Sequence, residues 1–366
     1  MDTKLRLAVE PPSGAGVYKD GSNKPMNDKR IRHPYPAWLC QSLIVLLTTG
    51  LLSATTAPPR QRTVEFTYKT VVSAGTAGNR TVDVWVPVPH NSPFQTITNL
   101  IIMSPYPYRI DTAQYGNRIM HLTVANPTAS FMIDMRFTAT RKEHIQERLE
   151  AGNSPKSIVA PADLAHWLKP DRLVPIDGNI KRWAQGVVDS VGARTDLQKA
   201  RAIYNHVIAT VKYDKTGTGW GQGDIYYACD TRRGNCTDFH AIFIGYCRAV
   251  GIPARFAIGF SLPTDRPAGQ VSGYHCWAEF YLKGVGWVPI DASEAAKNPS
   301  RRAYFFGAHD ENRIEFTIGR DLVLHPRQAQ PLNYFVYPYA EINGKPVTTL
   351  VNTFTYRNLP AVSARR

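Results

Sequence analysis

The stretch from Arg232 to Phe256, RRGNCTDFHAIFIGYCRAVGIPARF, restricts the fold more than any other part of the chain. Asn235 is a good N-cap and Asp238 suits a first helical turn, where unpaired N–H groups and the helix dipole favour oxygen and negative charge. Phe239, Ile242, Phe243, Tyr246 and Val250 recur at helical spacing and make one apolar face. Gly251 fits the C′ position, and Pro253 prevents continuation. The spacing predicts a helix of about 15 residues that begins at Cys236. Its apolar face needs a layer to pack on. Runs of strand character follow it: RFAIGFSLP, GYHCWAEFYL, GWVPIDA, RIEFTIG and LNYFVYPYAEING.

The 366 residues are enough for about two domains at ~150 residues each. Residues 63–140 are β-rich: TVEFTYKTVV, RTVDVWVPVP, NRIMHLTVA and SFMIDMRFTATR alternate apolar and polar residues, with SAGTAGN as a turn. A separate sandwich-like domain without a titratable cluster is expected there, for packing or for presenting substrate. Residues 141–179 read as a connector. Helices are expected in NIKRWAQGVVDSV and DLQKARAIYNHVIATVKYD, with apolar stripes through Trp183, Val187 and Val188, and through Leu197, Ala200, Ile203, Tyr204 and Val207. The fold class is α+β, with a core at 180–325 and a C-terminal β extension at 326–366. The loop KTGTGWGQGD lacks the Gly-Lys-Ser/Thr ending of a phosphate loop.

Residues 1–57 read as an address. A polar lead with Lys29, Arg30 and Arg32 precedes an apolar stretch from Ala37 to Leu52, and the small residues Ser53–Ala57 follow. That is the layout of a signal peptide, with an uncleaved anchor over 37–52 as the alternative and Met26 as an alternative start. The chain is expected outside the cytoplasm, periplasmic or extracellular. The formal charge is +14; residues 1–57 hold seven Lys/Arg and four Asp/Glu, so +3 lies there and +11 beyond. No nucleic-acid motif accompanies the charge, so nucleic acid is not an expected partner. The basic surface is either solvated or drawn to an anionic surface polymer.

Position N1 gives Cys236 chemical meaning, because helix N-terminal N–H groups favour a thiolate and can hold an oxyanion. Asp238 opposes the first effect. A nucleophilic thiol needs a base and the base an orienter. His275 opens a strand whose other face carries Tyr274, Cys276, Ala278, Phe280 and Leu282. A turn around Lys283–Gly286 leads to a second strand ending at Asp291. If Leu282 pairs with Gly286, Asp291 lies opposite Trp277 and one diagonal from His275; a one-residue slip puts it on the wrong face. Glu279 is a second orienter candidate. Trp277 either lines the cleft or shields the His–Asp pair. His240, one turn after Cys236, is a pocket residue or joins Cys236, His275 and Cys276 around zinc, but adjacent His275 and Cys276 point to opposite faces, which disfavours the metal. A Cys229–Cys276 disulfide is open, and Cys247 reads as core.

GNCTDFHAIFIGYCRAVGIPAR, GYHCWAEFYL and GWVPIDASEA together resemble the transglutaminase-like superfamily, with its papain-like Cys–His–Asp arrangement, over roughly 196–295. The likeness extends to exported bacterial-type members. It implies Cys236 as nucleophile, His275 as base and acid, and Asp291 as orienter. Papain places a Gln six residues before its nucleophile; here that position is Asp230, which cannot donate when ionised. Trp220, Gln222, Tyr226 and Tyr227 are the alternatives, none preferred, and the Cys236 N–H is the one donor named. The implied activity is acyl transfer from a peptide, protein or cell-wall amide, or an ester, hydrolytic or transamidating, with no cofactor or metal. The competing expectation is a non-catalytic binding module on the same fold.

Overall fold

The computed structural model describes residues 58–73, 80–146, 149, 164–348 and 350–360. The expected signal or anchor in 1–57 lies outside them, as do most of the SAGTAGN turn and residues 150–163 of the connector. Residues 57–366 form one compact unit.

The alternating segments fold as antiparallel sheets. One has five strands, in the order Ala268–Gln270, Leu350–Asn358, Gln61–Val72, Phe131–Lys142 and Gln95–Met103. A second has the order Lys345–Pro346, Tyr339–Ile342, Thr81–Val88, Arg118–Ala125 and Arg109–Thr112. Strands from 268–270 and from beyond 339 thus complete sheets begun at the other end of the chain. In Gln61–Val72 the period of two buries Val64, Phe66, Tyr68, Thr70 and Val72. These side chains face a third sheet, ordered Gly286–Ile290, Tyr274–Leu282, Ala254–Ser261 and Arg313–Ile318. Phe66 and Tyr68 meet Phe260 and Phe316 of that sheet at ring separations of 5.2 to 6.3 Å among the four residues. The expected strand LNYFVYPYAEING is shorter than its pattern: Leu332 makes one bridge, to Leu322, and regular pairing covers Tyr339–Ile342. Pro338 precedes that pairing and has no N–H to give a ladder. Tyr334 and Tyr337 turn instead towards the start of the Tyr274–Leu282 strand.

Helices α1 (Gly178–Ser190), α2 (Asp196–Thr210), α3 (Ile225–Thr231), α4 (Cys236–Ala249) and α5 (Ala292–Lys297) complete the unit. Thr195 and Gln198 form a capping box on α2. α4 ends as its sequence predicts: Gly251 adopts φ +85°, and the Ile252 N–H returns to the Cys247 carbonyl at 2.8 Å. Its surroundings differ from the one-sided stripe. Every residue from Cys236 to Arg248 is buried, because α4 lies among α1, α2, α3 and α5 and against the strands Tyr274–Leu282 and Ala254–Ser261. Its polar residues are therefore internal ties. Arg248 donates to Asp171 at 2.8 Å, to the Lys169 carbonyl at 2.7 Å and to the Ala254 carbonyl at 2.9 Å.

Candidate active site

Cys236 is the first residue of α4 and is 2% exposed. The Asn235 side chain accepts from the Thr237 N–H at 2.9 Å, and Asp238 accepts from the Asn235 N–H at 2.8 Å. Asp238 also takes the N–H groups of Gly221 and Gly223, at 2.8 and 3.0 Å. The loop before α3 is thereby clamped onto the start of α4. Burial raises the Asp238 carboxyl, those N–H bonds pull it down, and the nearby Cys236 adds to the rise. The Cys236 N–H stands at the first helical position, where no acceptor exists one turn back in the helix.

The register that decides the His–Asp geometry is the pairing of Leu282 with Gly286, continuing through Phe280–Val288 to Ala278–Ile290. Glycines at 284 and 286, with φ +80° and +99°, make the turn that sets it. Asp291 follows directly and meets His275: Nε2 lies 2.7 Å from Asp291 Oδ2. Nδ1 is then the ring nitrogen left for Cys236, which adds to the rise of the His275 value. Asp291 is also the N-cap of α5. Its Oδ1 accepts from Ser293 Oγ and the Glu294 N–H, both at 2.9 Å.

The electrostatics are those of an ion pair. Burial opposes charge on all three groups, and their mutual contacts overcome it. The Cys236 thiol, raised by burial, is held well below its ordinary range by hydrogen bonds with Cys276 and His275 and by the His275 charge. His275, lowered by burial, is pushed up to about 10 by the charge and hydrogen bond of Asp291 and by Cys236. Asp291, raised by burial, is held well below the usual carboxylate range by His275 and Arg313.

Neighbouring groups hold these three in place. His240 is fully buried; Nε2 accepts from the Ala292 N–H at 3.2 Å, and Nδ1 lies 3.6 Å from Cys276 Sγ. Burial lowers it to about 4, so it is neutral near pH 7. Trp277 is fully buried, with its ring 6.2 Å from that of His275 and the Arg313 guanidinium 5.0 Å from its face. Glu279 pairs with Arg255 at 2.6 Å, away from His275. Among the candidate oxyanion donors, Trp220 gives its N–H to the Gly217 carbonyl and Tyr226 its hydroxyl to Asp177. Tyr227 has a buried hydroxyl without a partner beside Gly219, and Gln222 is exposed. The four described cysteines are free, and Cys229 lies 3.5 Å from the Tyr246 hydroxyl. Among the described residues no His/Cys/Asp/Glu group is arranged to hold a metal.

Sequence reasoning missed Arg313, whose Nη1 lies 3.2 Å from Asp291 Oδ2. It also missed Tyr274, whose hydroxyl accepts from Asn235 Nδ2 at 2.9 Å and braces the N-cap. Tyr274 was legible as the neighbour of His275; Arg313 left no signal beyond an arginine opening an apolar strand.

Residues 181–292 match the family model of the transglutaminase-like superfamily. An uncharacterised protein of Haemophilus influenzae is 29% identical over 322 residues, covering 77% of this chain and 86% of that protein. The uncharacterised protein YebA of Bacillus subtilis is 28% identical over 81 residues, 20% of this chain and 11% of YebA. Among solved structures, a candidate cysteine protease from Cytophaga hutchinsonii superposes with a TM-score of 0.56 at 18% identity, covering 82% of this chain and 92% of that one. At that identity the likeness is one of fold. The chain is therefore a mixed α+β protein with a β-rich N-terminal region and a helix-on-sheet core of transglutaminase-like topology.

Proposed function

We propose that the chain is a cysteine-dependent acyl-transfer enzyme, with Cys236 as nucleophile, His275 as base and acid, and Asp291 orienting His275. The observation that carries the reading is the 2.7 Å His275–Asp291 hydrogen bond beside a thiol at the first residue of a buried helix. The thiolate attacks the carbonyl carbon of an amide or ester, and the carbonyl electron pair moves onto oxygen. That oxyanion sits at the N-terminus of α4, with the Cys236 N–H as donor. Collapse breaks the bond to the leaving group, which takes the His275 proton and leaves a thioester on Cys236. His275 then accepts a proton from water or an amine as it adds, and the C–S bond breaks to restore the thiolate. Water makes the protein a peptidase or amidase; an amine makes it a transamidase. Neither route calls for a metal or an organic cofactor.

The substrate is a peptide, protein or cell-wall amide outside the cytoplasm, reached by export through residues 37–52, cleaved or retained as an anchor. The apolar stretch with its basic lead supports that location. The charge of +11 beyond residue 57 supports contact with an anionic surface polymer. Among the described residues no helix is long and apolar enough to cross a membrane.

The test is ammonia or alcohol release from a panel of amides and esters by the 57–366 unit, with and without a primary amine, beside Cys236→Ala. Release that Cys236→Ala abolishes supports the reading, and amine incorporation selects the transamidase. No turnover, with a Cys236 as inert to alkylation as Cys247, leaves a binding module on the same fold.

A further inference from the structure

Asp291 Oδ2 carries two donors. His275 Nε2 lies 2.7 Å from it and Arg313 Nη1 3.2 Å. Oδ1 is filled separately by Ser293 and the Glu294 N–H. Arg313 is 2% exposed and packs its guanidinium over Trp277, the residue beside His275 in the same stack. Its second carboxylate partner, Asp310, is farther, at 3.5 Å, and is shared with Arg301 at 3.3 Å. Among the described residues, Arg313 is the one Arg or Lys within ion-pair distance of Asp291.

We propose that Arg313 is a positioning residue of the Cys236–His275–Asp291 site: it locks the Asp291 carboxylate and, through its charge, limits how tightly His275 holds its proton. The inference rests on the acyl-transfer reading. The locking follows from the contacts. A carboxylate with two donors on each oxygen cannot turn about its C–C bond without breaking some of them, so the oxygen that faces His275 stays in place. The tuning follows from sharing. A buried carboxylate facing imidazolium alone would hold the ring proton too firmly for transfer to a leaving group. Arg313 draws on the same oxygen and repels the imidazolium across it. With the two cations on the order of 5 Å apart and an effective dielectric of about 25 to 50, that repulsion is worth on the order of 1–2 pH units.

The other groups around the pair do not duplicate this charge. From α4 come the Cys236 thiol, which raises His275, and His240, which burial keeps neutral. Cys276 on the His275 strand is pushed up by burial and stays a thiol. Glu294 of α5 lies 3.9 Å from His275 Nε2 and is tied to Lys297. Tyr213, packed nearby, is raised by burial and remains neutral. Behind Arg313 stand Asp310, the buried Arg141, and His144 and His309, both kept neutral by burial. The Arg313 charge lowers Asp310, Arg141, His144 and His309 as well, so replacing it acts on them in the same upward direction as on His275.

Three variants of the full chain test the proposal: Arg313→Gln, Arg313→Lys and Asp310→Asn. The readouts are the His275 titration by imidazole 15N NMR and the pH profile of Cys236 alkylation by iodoacetamide. Arg313→Gln should move the His275 titration up by about 1–2 units and the alkylation profile in the same direction. Arg313→Lys should return both to within about half a unit of the native protein. Asp310→Asn removes a neighbouring negative charge and should move them down; this opposite sign decides the matter if Arg313→Gln does not fold. Unmoved titrations in Arg313→Gln and Asp310→Asn, with only stability lost, would make Arg313 a structural ion-pair partner and overturn the proposal. The native alkylation rate separates the two readings: a slow native Cys236 sinks the acyl-transfer proposal, whereas a fast one with unmoved variants sinks only the role of Arg313.

Discussion

Asp291→Asn keeps the size of the side chain and removes its charge. In the native site burial alone would take His275 below the ordinary histidine value, and Asp291 is the foremost influence holding it up to about 10. Losing that charge takes the ring down towards 6.5, a fall of up to about 3.5 units, or about 5 kcal/mol of imidazolium stabilisation. The geometry suffers as well. Asn offers one oxygen, whereas Asp291 now accepts on Oδ2 from His275 and Arg313 and on Oδ1 from Ser293 and the Glu294 N–H. At pH 7.5 a ring titrating near 6.5 is only about one-tenth protonated, so the thiolate–imidazolium population drops ~10-fold, and up to ~3000-fold if the whole shift is passed to the thiol. The assay is the iodoacetamide rate at Cys236, followed by mass spectrometry from pH 5 to 10. The variant should react about 10- to 3000-fold more slowly at pH 7.5 and recover as the pH approaches the pKa of a free thiol. A rate within about threefold of native at pH 7.5, with an unmoved acid limb, would refute the ion-pair argument.

Three further outcomes are expected. The elevated His275 value is a stability statement: its contribution is fully present below about pH 6.5 and is lost as pH rises through about 10. The urea midpoints of native protein and Asp291→Asn should therefore converge between those limits as pH rises, and a constant gap would contradict the linkage. Native alkylation should follow the order Cys236, then half-buried Cys229, with Cys247 and Cys276 slowest because burial pushes both thiols up, and His275→Ala should slow Cys236 alone. Gly234→Ala places a Cβ against the Asp238 carboxylate that caps α4, so it should cost about 2–3 kcal/mol in chemical denaturation and slow Cys236 alkylation; an unchanged midpoint would show that the cap gives way without cost.

The elements governed by local rules were legible. The start and stop of α4 depend on residues within one turn of each end, and Asn235, Asp238, Gly251 and Pro253 act there as their types require. The alternation in Gln61–Val72 likewise states which side chains enter the core. The burial of α4 on all sides was not legible from its apolar stripe. His240 and Arg248 lie off that stripe, yet each is buried with a hydrogen-bond partner, because four helices and two strands close around α4. Periodicity measures apolar faces only; it is blind to polar residues whose partners come from elsewhere in the chain. The same limit applies to the sheets, where Leu350–Asn358 completes a sheet begun at Gln61–Val72 almost three hundred residues earlier.

The candidate site divides along the same line. His275 and Asp291 sit on two strands joined by one short turn, so their meeting depends on a single register. The glycines at 284 and 286 select the pairing of Leu282 with Gly286 that puts Asp291 on the His275 side. Cys236 needs only the cap before it and the helix after it. Arg313 has no such local route to Asp291. The chain first passes His309, which donates from Nε2 to the Ile290 carbonyl at 3.1 Å and so holds this segment beside the end of the Gly286–Ile290 strand. It then crosses to pair with Ala254–Ser261 at the opposite edge of the sheet, and Arg313 lies at the start of that crossing strand. Its place beside Asp291 is a product of strand order rather than of spacing. A candidate nucleophile, base and orienter can thus be read from three short motifs, while Arg313, the further partner of Asp291, becomes visible only once the whole sheet is assembled.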